Sequence, residues 1–162
     1  MFKINVICIG KIKEEYLTNG IYEYSKRLKR FCDLNIIELR EEPIFNESSE
    51  NINMALEKEF CLIENNIKKQ NNNKYNVLLD INGEMLNTIE FAKKIFDLQN
   101  NNISQINFII GSSYGISNKV FKYIDFKLSF SKMTYPHQLF RLILLEQIYR
   151  IFKITNNEIY HK

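Results

Sequence analysis

Cysteine is scarce and unpaired in this chain of 162 residues: Cys8, Cys32 and Cys61 stand alone, and no CxxC occurs. A disulfide framework or a zinc cluster needs paired spacing. Each thiol is therefore expected to be a small buried apolar residue in a reducing compartment. Histidine is equally sparse, with only His137 and His161. Without HExxH or a His/Cys cluster, no metal is expected. The GxSxG elbow, the GxGxxG dinucleotide fingerprint and the GK[ST] ending of a P-loop are missing too. A Ser–His–Asp hydrolase is then supported by residue type alone.

Long apolar runs are also lacking. The opening FKINVICIG has the length of one strand, and no small-residue cleavage site follows it, so a signal peptide is not expected. The most apolar segment, Leu139 to Phe152, is interrupted by Arg141, Glu146 and Arg150. It is too short and too charged to span a bilayer. The expected location is cytoplasmic, with no membrane partner. There is no internal repeat and no linker rich in Pro, Gly or Ser, and the length suits one domain over 1–162.

What is present is ordinary for a globular chain, with 45% hydrophobic and 25% charged residues. That is enough for a continuous core. The charge is uneven. Met1 to Ile116 carries 14 Lys and Arg against 16 Asp and Glu, whereas Ser117 to Lys162 carries 8 against 3. A basic C-terminal quarter fits either an anionic partner or a merely solvated face.

Strand-like and helix-like patterns alternate. Phe2 to Ile9, Leu34 to Leu39, Tyr75 to Ile81, Ile106 to Ile110 and Phe126 to Phe130 read as strands. Glu14 to Phe31, about Asn51 to Lys69, Thr88 to Leu98 and about His137 to Lys153 read as helices, with a short one at Asn118 to Tyr123. Ser48 or Ser49 suits the second start, Asn87 with Glu90 the third, and Pro136 the first turn of the last. Asn71 to Asn73 and Asn82-Gly83 read as turns. Alternation of this kind specifies an α/β fold, a mainly parallel sheet with helices on both faces.

Ligands of open α/β sheets bind beyond the carboxyl ends of strands, and three such ends stand out. The third strand ends in LDING. The fourth opens into GSSYG, whose glycines let backbone approach a ligand closely. Seven residues, Ser129 to Tyr135, separate the fifth strand from the proline that starts the last helix. Their mix of Phe, Met and Tyr with hydroxyls suits a flat aromatic ligand, or equally a loop packed under the helix. Asp80 is a candidate ligand or base, although an Asp there more often supports a turn. On the last helix Glu146 and Arg150 have pairing spacing, and Arg141, four from His137, has the planar fork that suits phosphate.

The stretch LSFSKMTYPHQLFRLILLEQIYRIFKITNNEIYHK resembles the signature of the RlmH family. These are SPOUT-class enzymes that methylate N3 of a pseudouridine in large-subunit (23S) ribosomal RNA. The IIGSSYG loop, LDINGE and INVICIGKIKEEYLTNGIYEYSKRL fit as well, so the likeness covers nearly the whole chain. One departure is Ser112, where the family usually carries a second glycine; it bears on the shape of that loop.

This resemblance implies a C-terminal trefoil knot, an exception to the rule against threading, and a homodimer with the knot helices at its interface. It implies S-adenosyl-L-methionine as methyl donor, bent among the three loops. Leu79 and Gly111 would line the donor pocket, and Phe130, Ser131, Lys132, Met133, Thr134 and Tyr135 would wrap adenine and ribose, largely by main chain. Glu146, Arg150, Tyr160 and His161 match positions associated with substrate binding or catalysis. The implied substrate is ribosomal RNA within the assembled ribosome. The competing readings are a non-catalytic nucleotide-binding module, separated by turnover, and a ribosome-associated RNA-binding dimer, separated by donor binding.

Overall fold

The computed structural model describes residues 1–70 and 72–160. Asn71 of the expected Asn71–Asn73 turn, His161 and Lys162 lie outside the described residues. The isoleucine- and valine-rich runs form strands β1 (Lys3–Ile9), β2 (Asp33–Leu39), β3 (Lys74–Met85), β4 (Gln105–Ile110) and β5 (Phe126–Ser129). Between them come helices α1 (Glu15–Leu28), α2 (Ser49–Lys68), α3 (Thr88–Asn100) and α4 (His137–Thr155), with a 3-10 turn at Asn118–Tyr123. The strands make one sheet in the order β2-β1-β4-β3-β5, and every neighbouring pair is parallel.

Alternate side chains of a strand face opposite sides, and here each side has its own core. Ile4, Val6 and Cys8 of β1 join the cluster under α1, α3 and α4, while Ile7 and Ile9 join the one under α2 and the 3-10 turn. Helices thus cover both faces, as the alternation specified. Helix α4 follows the edge strand β5 yet packs against both α1 and α3. The last element therefore returns beneath the sheet to lie between earlier ones.

The expected start signals operate at α2 and α3. Ser48 Oγ accepts from the Asn51 backbone N–H at 3.2 Å. Asn87 and Glu90 form a reciprocal capping box, with bonds of 2.9 and 2.8 Å. Pro136 sits one position before α4 rather than in its first turn, as an N-cap with φ -53 and ψ 129. The turn expected at Asn82-Gly83 needs a larger correction. Strand β3 runs on to Met85, and the extra residues form a bulge, because Leu79 and Glu84 both stand opposite Leu128. Asp80 Oδ1 accepts from the Asn82 N–H at 3.0 Å, and Gly83 fits because a Cβ there would lie 2.7 Å from the Lys127 carbonyl. Cys61 is a second correction: it is exposed on α2, whereas Cys8 and Cys32 are buried.

Buried polar groups fix how the elements meet. Asn5, Asn107 and Asn76 stand at one register position on three adjacent strands. Asn5 Nδ2 donates to Asn107 Oδ1 at 2.8 Å, Asn107 Nδ2 donates to Asn76 Oδ1 at 2.7 Å, and Asn76 Nδ2 donates to the Tyr123 carbonyl at 2.7 Å. A slip of one residue would break all of these bonds together.

Arg141 is the other such group and the third correction. It is 1% exposed, so it is not free to recognise phosphate. Its Nη2 donates to the Ile9 and Gly10 carbonyls at 2.8 and 2.9 Å, and its Nη1 donates to Glu38 Oε1 at 2.9 Å. The same Glu38 oxygen accepts from the Ile12 N–H at 3.1 Å. Arginine here ties α4 to the carboxyl ends of β1 and β2. Replacing it by an apolar side chain leaves two buried carbonyls without their donor and Glu38 with only the Ile12 N–H, and each unsatisfied buried group costs about 1–3 kcal/mol. Arg141→Met is expected to lower unfolding stability by that order in urea titrations, with an exposed-site control, Cys61→Ser, unchanged.

Candidate active site

The ends of β3 and β4 and the loop after β5 converge on one cavity of about 300 Å³. Its walls include Leu79, Asp80 and Ile81 from β3, Ile110 to Ser112, Gly115 and Ile116 after β4, and Phe130, Ser131, Met133, Thr134 and Tyr135. His137 and Phe140 close it from the first turn of α4.

Each loop has a local reason for its shape. Ser112 and Gly115 exchange backbone hydrogen bonds of 3.0 and 2.9 Å, which folds GSSYG back on itself. A Cβ on Gly111 would stand 2.5 Å from the Gly115 carbonyl oxygen, so only glycine fits. Gly115 has φ +98, whereas Ser112 lies outside the left-handed region, so the serine costs the loop nothing. The loop is tied outward as well, since Tyr114 donates to Glu47 at 2.6 Å; behind it the buried Glu59 carboxyl of α2 accepts from the Glu42 N–H at 3.1 Å. Burial raises the pKa of that carboxyl.

After β5, Ser129 Oγ donates to the Ser131 carbonyl, and Ser131 Oγ accepts from the Met133 N–H, each at 3.0 Å. Phe130 packs edge-on against Phe140 at 4.9 Å, and Tyr135 stacks on Phe140 at 6.0 Å. The result is a mostly apolar slot with aromatic walls, which fits a planar heterocycle. Asp80 is the one carboxylate among its described lining residues and offers a counter-charge to a cationic ligand.

Of the eight donor-pocket residues expected from sequence, Leu79, Gly111, Phe130, Ser131, Met133, Thr134 and Tyr135 line this cavity. Lys132 instead borders a neighbouring hollow with Ile81, Asn82, Gly83 and Met85. The sequence reading missed Ile116, Leu128 and Phe140 as walls. Phe140 was within reach, since three residues along a helix from His137 is the same face.

Glu146, Arg150 and Tyr160 form a separate cluster. Arg150 Nε donates to Glu146 Oε1 at 3.0 Å, and Tyr160 donates to the same oxygen at 3.4 Å beneath the Arg150 guanidinium. Gln147 Nε2 donates to Glu146 Oε2 at 2.7 Å, and Thr88 donates to Gln147 Oε1 at 3.0 Å. Both Glu146 oxygens are therefore engaged, which makes it an anchor rather than a free base. Burial, then the Tyr24 hydroxyl, pushes Tyr160 up to about 12, so it keeps its proton near neutrality. His161 lies outside the described residues. Along α4, Glu146 and Arg150 stand roughly 14 and 20 Å from His137 at the helical rise. The cluster thus belongs to the far part of the helix.

Burial, with Arg141 adding to it and Glu41 opposing it, holds His137 below its ordinary 6.5. A base whose folded pKa is depressed stabilises above the unfolded value, and the contribution is lost as pH falls through the folded one. Between about pH 7.5 and 5, His137→Gln is expected to lose less stability than the wild type, whose imidazole unfolds to take its proton near 6.5. Urea midpoints at both pH values measure the difference.

Comparison with known proteins agrees with this geometry. The family model described as "Predicted SPOUT methyltransferase" matches residues 2–161. The chain is 53% identical over 159 residues to the ribosomal RNA large subunit methyltransferase H of Fusobacterium nucleatum subsp. nucleatum, covering 98% of this chain and 99% of the relative. It is 50% identical to the protein of that name in Clostridium kluyveri and 49% identical to the one in Clostridium tetani, each with the same coverage. With its parallel sheet, its strand-end cavity and a match along nearly its whole length, the chain belongs to the SPOUT methyltransferase family.

Proposed function

We propose that this protein is a cytoplasmic, single-domain, homodimeric methyltransferase that uses S-adenosyl-L-methionine to methylate N3 of a pseudouridine in large-subunit ribosomal RNA on the assembled ribosome. The observation that carries the reading is the convergence of the β3, β4 and β5 ends on one aromatic-walled cavity. The near full-length identity to relatives named for large-subunit ribosomal RNA methylation supports the substrate. The return of α4 between α1 and α3 agrees with the knot that the family carries.

The residues present fit the donor. Gly111 lets the Gly115 carbonyl close the loop tightly at the cavity wall, Phe130 and Tyr135 offer flat faces, and Asp80 answers a positive charge. When bound, the donor supplies an electrophilic methyl group on a sulfonium. The protein's own task is then to align the acceptor nitrogen and accept its proton. Alignment alone accounts for several kcal/mol of a bimolecular barrier. Arg150 can stabilise charge on the imide oxygens. Glu146 and Tyr160 hold that cation in place, and His161 is the candidate base.

The spacing along α4 favours a shared site. A tail docked at Glu146 lies at the far part of the helix from its own cavity, so a partner's tail is the one that completes each donor pocket. Leu139, Leu142 and Ile143, all half-exposed on α4, supply an apolar face for that partner. The test mixes two inactive variants, Gly111→Arg and Tyr160→Ala, with large ribosomal subunits as methyl acceptor. Random exchange of subunits should restore about a quarter of wild-type turnover, because half the dimers then hold one intact site. Verified heterodimers with no activity would rule out the shared site, and a methyl group mapped elsewhere than N3 of a pseudouridine would rule out the acceptor.

A further inference from the structure

The last turn of α4 ends in a motif that usually closes on an apolar contact but here closes on a charge. Asn157 has φ +54, its N–H donates to the Ile154 carbonyl at 3.0 Å, and the Glu158 N–H donates to the Lys153 carbonyl at 2.9 Å. This is the Schellman pattern, with a left-handed residue just past the helix and a bond from the next residue back five positions. Its usual partner feature is a hydrophobic contact between the residues that Glu158 and Lys153 represent. Instead Glu158 pairs with Lys153 and, through the same carboxylate, with Arg30 beyond the end of α1.

The pair is not a free surface bridge. The Lys153 side chain is 13% exposed and Glu158 is 34% exposed. Arg30 is more open, but its guanidinium lies 4.4 Å from the Phe31 ring. Beyond this turn lies Tyr160, whose ring stands edge-on to Tyr149 at 5.0 Å and whose hydroxyl reaches Glu146. Ile159 between them is 92% exposed and holds nothing. The chain from Asn156 to Tyr160 is thus held at its turn and at its tyrosine, and Glu158 is the one side chain of the turn that reaches other elements.

We propose that Glu158 is a positioning residue: clamped between Arg30 of the α1 end and Lys153 of α4, its carboxylate sets the direction in which the tail leaves the helix and so seats Tyr160 on the Glu146–Arg150 pair. This rests on the reading that the tail serves methyl transfer. Because the clamp is ionic where the motif is ordinarily apolar, tail order depends on ionic strength. An apolar pair in the same two places would do the same work without that dependence.

The chain contains no tryptophan, so Ile159→Trp gives a single reporter whose time-resolved anisotropy reads tail mobility. In that background Glu158→Gln is expected to add a fast anisotropy phase. It should also lower turnover on large ribosomal subunits about fivefold, the upper end for a surface ion pair, with the donor KM unchanged. Raised salt should mobilise the parent tail in the same way. The double variant Lys153→Leu with Glu158→Leu should restore both rigidity and turnover and be indifferent to salt. Unchanged anisotropy in Glu158→Gln would overturn the clamp. A mobile tail with undiminished turnover would overturn the positioning role. If Tyr160→Ala is then also fully active, the catalytic reading of the tail falls with it; if Tyr160→Ala is inactive, only the clamp falls.

Discussion

Arg141 joins parts of the chain that sequence keeps far apart, and the geometry of the site depends on that join. Its guanidinium holds two carbonyls at the end of β1 and a carboxylate on β2, so the start of α4 is fixed against the opposite half of the sheet. At the other end of the connecting loop, Ser129 is paired with Met85 across β3 and β5. The loop from Phe130 to Pro136 therefore spans two fixed points. It contains no glycine, both of its ends are pinned, and hydroxyls bond its own backbone. His137 and Phe140 face the cavity for the same reason, lying about one turn or less from the buried arginine.

The alternation of elements and the three strand ends were legible in the sequence because they follow from local patterns. Apolar runs stop where strands stop, and the capping residues at Ser48 and Asn87 are read within a few positions. The failures share another origin. Asn82-Gly83 is a good local turn signal, but pairing with the distant β5 carries β3 through it as a bulge. Arg141 looked available for phosphate because its partner Glu38 is 103 residues away. Nothing local in the sequence marks Asn5, Asn76 and Asn107 as partners. Their common register becomes visible only when β1, β4 and β3 are known to be neighbours.

The basic C-terminal quarter resolves in the same way. Arg141 is consumed in the core, Arg150 and Lys153 bond Glu146 and Glu158, and Lys119 and Lys122 pair with Glu57 and Glu64 of α2. Five of the quarter's basic side chains thus make ion pairs within the chain, and of these Lys119 and Lys122 remain mostly exposed. The surroundings of Tyr160 were not legible either. A polar tail reads as loose, whereas here an aromatic cluster of Tyr24, Phe31 and Tyr149 receives it.

Helix α4 emerges as an axle with a different function at each end. Its first turn closes the strand-end cavity, and its far part carries a hydrogen-bonded set of Glu146, Gln147, Arg150 and Tyr160. On the proposed reading, in which both ends serve one reaction, that division calls for a second copy of the chain. The proposed function stands or falls with the cavity at Gly111 as the donor site. Calorimetry of S-adenosyl-L-methionine with the wild type and with Gly111→Arg tests it most directly, after circular dichroism has verified that both are folded. The wild type should bind saturably and the variant not at all; a folded wild type that does not bind, or a variant that binds as well, would refute the donor site.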